Sequence, residues 1–362
     1  MNQKLESSQE GVLEDLMQRS FGAQNMFIPK NYKRGLKKNR EKEPCDLVWY
    51  GNGVLVLFYL TSGSQPIHKQ DEHNLKQAAK WINYWRRQSK EHLIATNRYN
   101  NELSITFKEL KYCICISVIS HVTGIVFHKI NVNKPIGYTC TIPESLIHSI
   151  SGFHGTVIDL LEIIHEYSFN LPRHILRHGP VSDERLATIV GKRIKTTEAL
   201  LNYESNTKYG DDSFSLIYKF INEYRLPDPV GNALSSSSDR QLIANYFSDM
   251  PARDFIILAI AAEQVIKKSE NGRFSLAAET TGMHLNWIVC VTNIASRNMG
   301  EFLESFLDEI KEKNLPILIY GYFIEGAEHR SPFMQVLQEQ KSIQSQHLVK
   351  STVQRLLNVF KR

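Results

Sequence analysis

Residues 43–60 read EPCDLVWYGNGVLVLFYL and carry the clearest structural signal in the chain. Two apolar runs flank Gly51-Asn52-Gly53, and Asn-Gly between such runs favours a tight hairpin because both residues tolerate a positive φ. The pattern predicts a first strand over 46–50 and a return strand over 54–60. We therefore expect a buried β-hairpin in the N-terminal part of the protein.

Helical and strand patterns alternate on both sides of this hairpin. The spacing of apolar residues predicts a helix over 11–21, a polar loop over 61–72, a helix over 73–88 and a buried strand over 112–120. Further strands are predicted over 125–132, 285–292 and 317–324, and further helices over 146–167, 183–203, 213–224, 239–269, 299–313 and 342–362. The alternation of the two patterns predicts an α/β fold.

Clusters of proline, glycine and serine indicate how the chain is divided. Leu226-Pro227-Asp228-Pro229-Val230-Gly231, followed by serines at 235–238, is typical of a linker or an exposed loop. We expect an α/β domain over 1–170, a helical connector over 171–234, and a C-terminal α/β region with a terminal helix over 235–362.

Composition sets limits on the class of protein. Apolar residues make up 42% of the 362 residues, which is enough for real cores. The net charge of +5 is too small for a protein that coats DNA, so nucleic-acid binding has to be argued from local clusters. No stretch is apolar for long enough to cross a bilayer, and residues 1–11 lack a signal-peptide core. We expect a cytoplasmic protein without a membrane partner.

Five cysteines, at positions 45, 113, 115, 140 and 290, form an odd set without zinc-binding spacing. Two of them lie in the apolar run 112–119, so we expect buried, reduced thiols, which suit a reducing compartment.

A basic segment over 30–42 precedes the hairpin and contains no acidic residue before Glu41. Such a cluster predicts contacts to the phosphates of DNA or RNA. The simpler interpretation is a solvated, charged loop. The candidate nucleic-acid-binding residues are Lys30, Lys33, Arg34, Lys37, Lys38 and Arg40.

The order of these elements resembles the core of the PD-(D/E)XK nuclease superfamily, the restriction-endonuclease-like fold, over residues 10–120. A helix bearing Glu14, a basic loop, Pro44-Cys45-Asp46 at the start of a strand, a hairpin and a helix bearing Gln77 carry the resemblance. It implies a mixed sheet flanked by helices, and it matches Glu14 to the first-helix acid, Asp46 to the metal-binding aspartate and Gln77 to the helix glutamine. Trp81 stands where the family usually has tyrosine.

The family's acidic-x-lysine triplet should lie on the return strand. A turn at Asn52-Gly53 sets residue 46 opposite residue 59, or opposite 57 or 58 if the turn changes by one residue. Leu57-Phe58-Tyr59-Leu60 supplies neither an acid nor a lysine. Hydrolysis needs Mg²⁺ held by more than one carboxylate and a group that activates water. We therefore expect a vestigial site with no cofactor.

The sequence also allows a rearranged metal-dependent active site. It would hold Mg²⁺ at Asp46, with functional groups drawn from the segment after the return strand. The simpler interpretation of the four charged residues in this segment is a solvated helix face. These residues are Lys69, Glu72, Lys76 and Lys80.

The leading hypothesis is a non-catalytic, nuclease-like subunit that binds nucleic acid, docks a catalytic partner, or both. The resemblance implies a setting such as a prokaryotic mobile element or a phage-defence system. One alternative is an active metal-dependent nuclease with a rearranged site around Asp46 and Glu14. Another is a protein-interaction module that binds a protein partner or a second copy of itself, without nucleic acid.

Overall fold

A computed structural model describes fifteen segments of the chain, and the two compact units into which the chain divides after Lys195 are treated separately. The described segments are 26–33, 41–51, 53–61, 67–87, 93–96, 102–120, 122–128, 136–153, 155–169, 183–205, 251–253, 278–281, 286–289, 317–325 and 329–337. Glu14 and the predicted helices at 11–21, 213–224, 299–313 and 342–362 lie outside them, as does most of 239–269.

The first unit is built on an eight-stranded sheet, beside which β2 and β3 form a separate pair. The strands are β1 Met26–Pro29, β2 Tyr32–Lys33, β3 Glu41–Lys42, β4 Leu47–Gly51, β5 Val54–Thr61, β6 Leu93–Thr96, β7 Glu102–Ile105, β8 Tyr112–Ile119, β9 Val126–His128 and β10 Ile136–Pro143. The helices are α1 Ile67–Arg87, α2 Glu144–Gly152, α3 Val157–Phe169 and α4 Asp183–Ser205, and α4 crosses the unit boundary.

The large sheet is mixed, in the order β7-β6-β1-β4-β5-β8-β10-β9. β1, β4 and β5 are antiparallel neighbours, whereas β5, β8 and β10 run parallel. Because parallel neighbours need a crossover, α1 follows β5 and packs on β5, β8 and β10. Helices and a mixed sheet confirm the predicted α/β class.

The main hairpin forms where the sequence predicts it. β4 and β5 pair with Leu47 opposite Phe58, so continuing the register by one residue sets Asp46 opposite Tyr59. Gly53 adopts a φ of 84°, and a Cβ there would lie 2.9 Å from the carbonyl oxygen of Glu109. Glycine is required at this turn for both reasons.

The predicted polar loop over 61–72 is wrong in its second half, because α1 already begins at Ile67. Pro66 precedes that residue in the sequence, and proline favours a helix start. The polar Gln70 is buried in this part of the helix, and Asn74, one turn later, is buried too and donates its side-chain amide to Ser117 Oγ at 2.9 Å. Apolar periodicity cannot reveal a turn whose buried side is polar.

β10 is a strand that apolar runs do not predict. Two of its residues, Thr139 and Thr141, are buried in the interior of the sheet, with β8 on one side and β9 on the other. The predicted strand over 112–120 is confirmed as β8, whereas the one over 125–132 is only three residues long within the described part, as β9. β1, β6 and β7 were likewise not predicted.

The second unit contains a four-stranded sheet in the order β11-β12-β13-β14. Its strands are β11 Ala278–Thr281, β12 Asn286–Val289, β13 Ile317–Glu325 and β14 His329–Leu337. β12 and β13 run parallel and the other pairs are antiparallel. The predicted strands over 285–292 and 317–324 correspond to β12 and β13.

The four described cysteines, at positions 45, 113, 115 and 140, are buried thiols, as the sequence predicts. Within the described residues, no helix combines the length and the apolar composition that crossing a bilayer requires.

Candidate functional site

Asp46 closes the open end of the β4–β5 hairpin. Its backbone N–H donates to the carbonyl oxygen of Phe58 at 3.1 Å, and its Oδ2 accepts from the backbone N–H of Leu60 at 2.7 Å. One carboxylate oxygen is therefore engaged in holding the first residue of the hairpin against the end of the return strand. This contact gives Asp46 a structural role that needs no metal.

Tyr59 occupies the position opposite Asp46. It is buried, and its hydroxyl has no hydrogen-bond partner among the described residues. Burial is the main cause that raises the pKa of this phenol well above its ordinary value, and the nearby Cys45, Cys115, Cys113 and Asp46 raise it further. The phenol therefore stays protonated at neutral pH and cannot serve as a base.

Gln77 ties α1 to the segment that leads into Asp46. Its Nε2 donates to the carbonyl oxygen of Glu43 at 2.8 Å and lies 3.4 Å from that of Pro44. The glutamine matched by the family resemblance is thus in contact with the residues just before Asp46. Its amide nitrogen holds the backbone in place.

Trp81 belongs to the core. Trp81 and Trp85 are each 3% exposed, and their ring centroids lie 6.2 Å apart in a stacked arrangement. Trp85 also meets the ring of Phe107 edge-on at 5.4 Å. Both tryptophans belong to the buried face of α1 and present no free face to a base of a nucleic acid.

The small β2–β3 hairpin packs against α1. Tyr32 pairs with Lys42 in that hairpin, and its buried ring lies 5.2 Å from the ring of Tyr84. The hydrogen bond from Gln77 to the Glu43 carbonyl fixes the segment immediately after β3. Two contacts on one side of α1 therefore hold the hairpin and the helix together.

A cavity of about 290 Å³ lies between these two elements. The α1 residues that line it follow helical spacing at i, i+3, i+4 and i+7, so they form one stripe on the helix. We call this cavity the basic groove, because its lining carries three lysines and one glutamate. It is lined by Tyr32, Lys42, Glu43, His73, Lys76, Gln77 and Lys80.

The three lysines differ in how they are engaged. Lys76 Nζ lies 2.6 Å from Glu72 Oε1, but both side chains are more than 60% exposed, so the pair contributes little to stability. Lys42 and Lys80 are exposed, and within the part of the chain that the structure describes neither is in an ion pair. The groove therefore offers a lysine outside any described ion pair on each wall, with Glu43 as the one carboxylate of its lining.

Only part of the predicted nucleic-acid-binding set can be placed. Lys30 is exposed after β1 and Lys33 lies in β2, whereas Arg34, Lys37, Lys38 and Arg40 fall outside the described residues. Sequence patterns did not single out Lys42 or His73 as binding residues. Lys42 ends the basic run, and His73 begins a helical stripe that continues through Lys76 and Lys80. These two sequence patterns, taken together, are the signal that indicates the groove.

Metal ligands are not assembled in the described residues, where no group of three or more His, Cys, Asp or Glu side chains is arranged to hold an ion. Comparison with protein-family models, with curated proteins and with solved structures finds no match to this chain. The chemistry of the site therefore rests on its own geometry. That geometry consists of a basic groove between the β2–β3 hairpin and α1, and of Asp46, whose carboxylate accepts a hydrogen bond from the Leu60 backbone.

Proposed function

We propose that this protein binds nucleic acid through the phosphate backbone on a nuclease-like scaffold that does not hydrolyse it. The observation that carries the proposal is the basic groove, a cavity of about 290 Å³ lined by Lys42 from the β2–β3 hairpin and by Lys76 and Lys80 from α1. Lysine is a good partner for phosphate, and phosphate contacts supply most of the affinity of non-specific nucleic-acid binding.

The basic charge extends beyond the cavity. The groove wall at Lys42 is the second strand of the β2–β3 hairpin, and Lys30 is exposed just before the first strand. Arg34, Lys37, Lys38 and Arg40 occur between the two strands in the sequence. A run of phosphates could therefore be contacted from several positions, although the net charge of the whole chain is small.

The absence of hydrolysis is supported by the hairpin. A strand opened by Asp46, a tight turn, a return strand and a helix bearing Gln77 follow one another as the nuclease resemblance requires. Tyr59, opposite Asp46, is buried and protonated. Asp46 Oδ2 binds the Leu60 backbone. A single engaged carboxylate is a poor ligand set for Mg²⁺.

Such a scaffold would hold nucleic acid for a catalytic partner to act on. A mobile-element or phage-defence setting follows from the family resemblance alone. The two alternatives, a nuclease with a rearranged site and a protein-interaction module, make different predictions in one set of assays.

The binding assay is fluorescence anisotropy with labelled DNA and RNA, single- and double-stranded, over a series of salt concentrations. The Lys42→Gln/Lys80→Gln double variant should bind more weakly and with a flatter salt dependence. Two lost contacts should reduce the slope of log K against log salt by about 1.8 on duplex DNA and by about 1.4 on a single strand. Lys195→Gln removes an exposed charge on α4, outside the groove lining, and serves as the control. Unchanged binding by the double variant would contradict the proposal.

The cleavage assay uses the same nucleic acids with Mg²⁺ or Mn²⁺ and compares the wild type with Asp46→Asn. Asparagine keeps an oxygen that can accept from Leu60 N–H, so this variant tests metal binding without opening the hairpin. We expect no cleavage by either protein. Metal-dependent cleavage that Asp46→Asn abolishes would establish the rearranged nuclease instead.

A further inference from the structure

The shape of the basic groove restricts what it can hold. At about 290 Å³ it lies at the lower end of the range for ligand pockets, which is roughly 300–1,000 Å³. This volume is far below that of a duplex and suits a phosphate with the group attached to it. The hairpin forms one wall and α1 the other, so an occupant is contacted from two sides.

Both walls of the groove carry cationic hydrogen-bond donors. Lys42 projects from the hairpin wall, whereas His73, Lys76 and Lys80 project from the helix wall. Gln77 binds the Glu43 carbonyl and so fixes the distance between the walls. The cavity is lined by three lysines against the single carboxylate of Glu43, so an anion bound there would meet an excess of positive charge.

The net charge of a phosphate group then decides how well that group is bound in the groove. An internal phosphodiester carries one negative charge, whereas a phosphomonoester carries about −1.5 to −2 at pH 7 and presents three acceptor oxygens. Lysines on the two walls can each donate a charge-assisted hydrogen bond to a different phosphate oxygen. A diester also offers two such oxygens but only one negative charge, whereas the charge of a monoester approaches that needed to match both lysines.

From this geometry we infer that the basic groove takes a phosphomonoester, namely the phosphorylated end of a nucleic-acid strand. The inference rests on the proposed function and assigns the groove a preference for strand ends over internal phosphates.

The test compares three single-stranded oligonucleotides of one sequence, bearing a 5′-phosphate, a 3′-phosphate or hydroxyls at both ends, with the fluorophore on an internal base. One phosphorylated form should bind about tenfold more tightly than the hydroxyl form, the difference made by one additional charge-assisted hydrogen bond of about 1.4 kcal/mol. Inorganic phosphate and adenosine monophosphate are added as competitors. Competition by both would support a phosphomonoester site, and failure of both to compete at any concentration would contradict it.

Matched variants locate the preference. Lys42→Gln and Lys80→Gln should each reduce the preference for the phosphorylated end toward unity, while Lys195→Gln should keep it. Equal binding of all three oligonucleotides by the wild type would overturn this inference and leave the proposed function standing. No binding of any of them would overturn both. A preference that survives both groove variants would place the end-binding site elsewhere and overturn the assignment of the groove.

Discussion

Asp46 Oδ2 accepts the backbone N–H of Leu60 at 2.7 Å and so joins the first residue of the β4–β5 hairpin to the end of its return strand. This bond is part-buried and has a charged acceptor, and hydrogen bonds of this kind contribute about 1.5–3 kcal/mol. The residue that the family resemblance matches to a metal ligand therefore has a stabilising role of its own. A substitution at this position tests folding as well as chemistry.

Asp46→Ala should lower the free energy of unfolding by about 1.5–3 kcal/mol, because the Leu60 N–H loses its charged acceptor. Asp46→Asn should cost less, since its amide oxygen can replace Oδ2. Urea denaturation of the three proteins measures the difference. If Ala and Asn were equally stable, the contact to Leu60 would not be the stabilising interaction.

Gln77→Ala should loosen the segment that joins β3 to Asp46. The variant loses the donor to the Glu43 carbonyl, so we expect a loss of about 1 kcal/mol in stability and faster amide exchange around β3. Hydrogen exchange read by mass spectrometry measures the change in peptides that contain 41–46. Ala substitution at the exposed Asn83, on the same helix, is the control.

If Gln77→Ala exchanges like the wild type in peptides 41–46, then the Tyr32–Tyr84 contact alone holds the hairpin to α1. A change confined to peptides of α1 would contradict the assigned role of Gln77 as well. Binding of the labelled oligonucleotide should weaken in parallel with faster exchange, because the two walls of the basic groove are no longer held at a fixed separation.

Arg193 on α4 faces three carboxylates on α3. Its Nη1 lies 2.5 Å from Glu162 Oε2 and 3.8 Å from Asp159 Oδ1, and its Nη2 lies 3.7 Å from Glu166 Oε2. Burial acts to lower the pKa of the guanidinium, but the three carboxylates together outweigh it and raise that pKa. Asp159 is itself buried and caps α3 through Thr156, whose backbone N–H donates to Asp159 Oδ2 at 2.8 Å.

Arg193→Met should destabilise the first unit by about 2–3 kcal/mol, because it leaves the buried Asp159 and the half-buried Glu162 without their counter-charge, whereas the exposed Glu166 contributes little. Arg193→Lys should lose less stability than Arg193→Met. Lysine keeps the positive charge but lacks the planar, forked guanidinium that contacts all three carboxylates. Thermal and urea unfolding measure the loss, with Lys195→Met on the exposed side of α4 as the control. Equal stability of Arg193→Met and the control would mean that apolar contacts alone join α3 to α4.

The hairpin could be predicted down to its register because the information is local. The turn at Gly53 and the two apolar runs that flank it lie within one continuous stretch, and Leu47 opposite Phe58 follows from them. The basic groove could not be predicted in the same way, because Gln77 and Glu43 are 34 residues apart in sequence. Periodicity shows that α1 has an outer face, but it does not show which element lies against that face.

Buried tyrosines and cysteines in the β4–β5 hairpin and beside it predict a loss of stability at alkaline pH. Burial, with Glu109 as a further cause, raises the pKa of Tyr50 to about 12 from an ordinary value of 10.0. Burial also raises the pKa of Tyr59, of Cys45 and of Cys113 well above their ordinary values. The unfolded chain therefore loses these protons at lower pH than the folded protein does.

The sign follows from linkage. The stabilisation is fully present below the unfolded pKa values, about 8.5–9 for cysteine and about 10 for tyrosine, and is lost as the pH rises toward the folded values. Each group lowers the free energy of unfolding by about 1.4 kcal/mol per pH unit within its window. Urea unfolding between neutral pH and pH about 11.5 should show a steep decline that begins near pH 9.

Tyr59→Phe isolates one of these groups. The variant removes a buried hydroxyl that has no hydrogen-bond partner among the described residues, so at neutral pH it should be as stable as the wild type or up to about 1 kcal/mol more stable. Above pH 10 it should lose less stability than the wild type, because one titrating group is gone. If Tyr59→Phe were clearly less stable at neutral pH and declined as steeply, the hydroxyl would have a partner and the phenol would not be the protonated, inert group that the non-catalytic proposal requires.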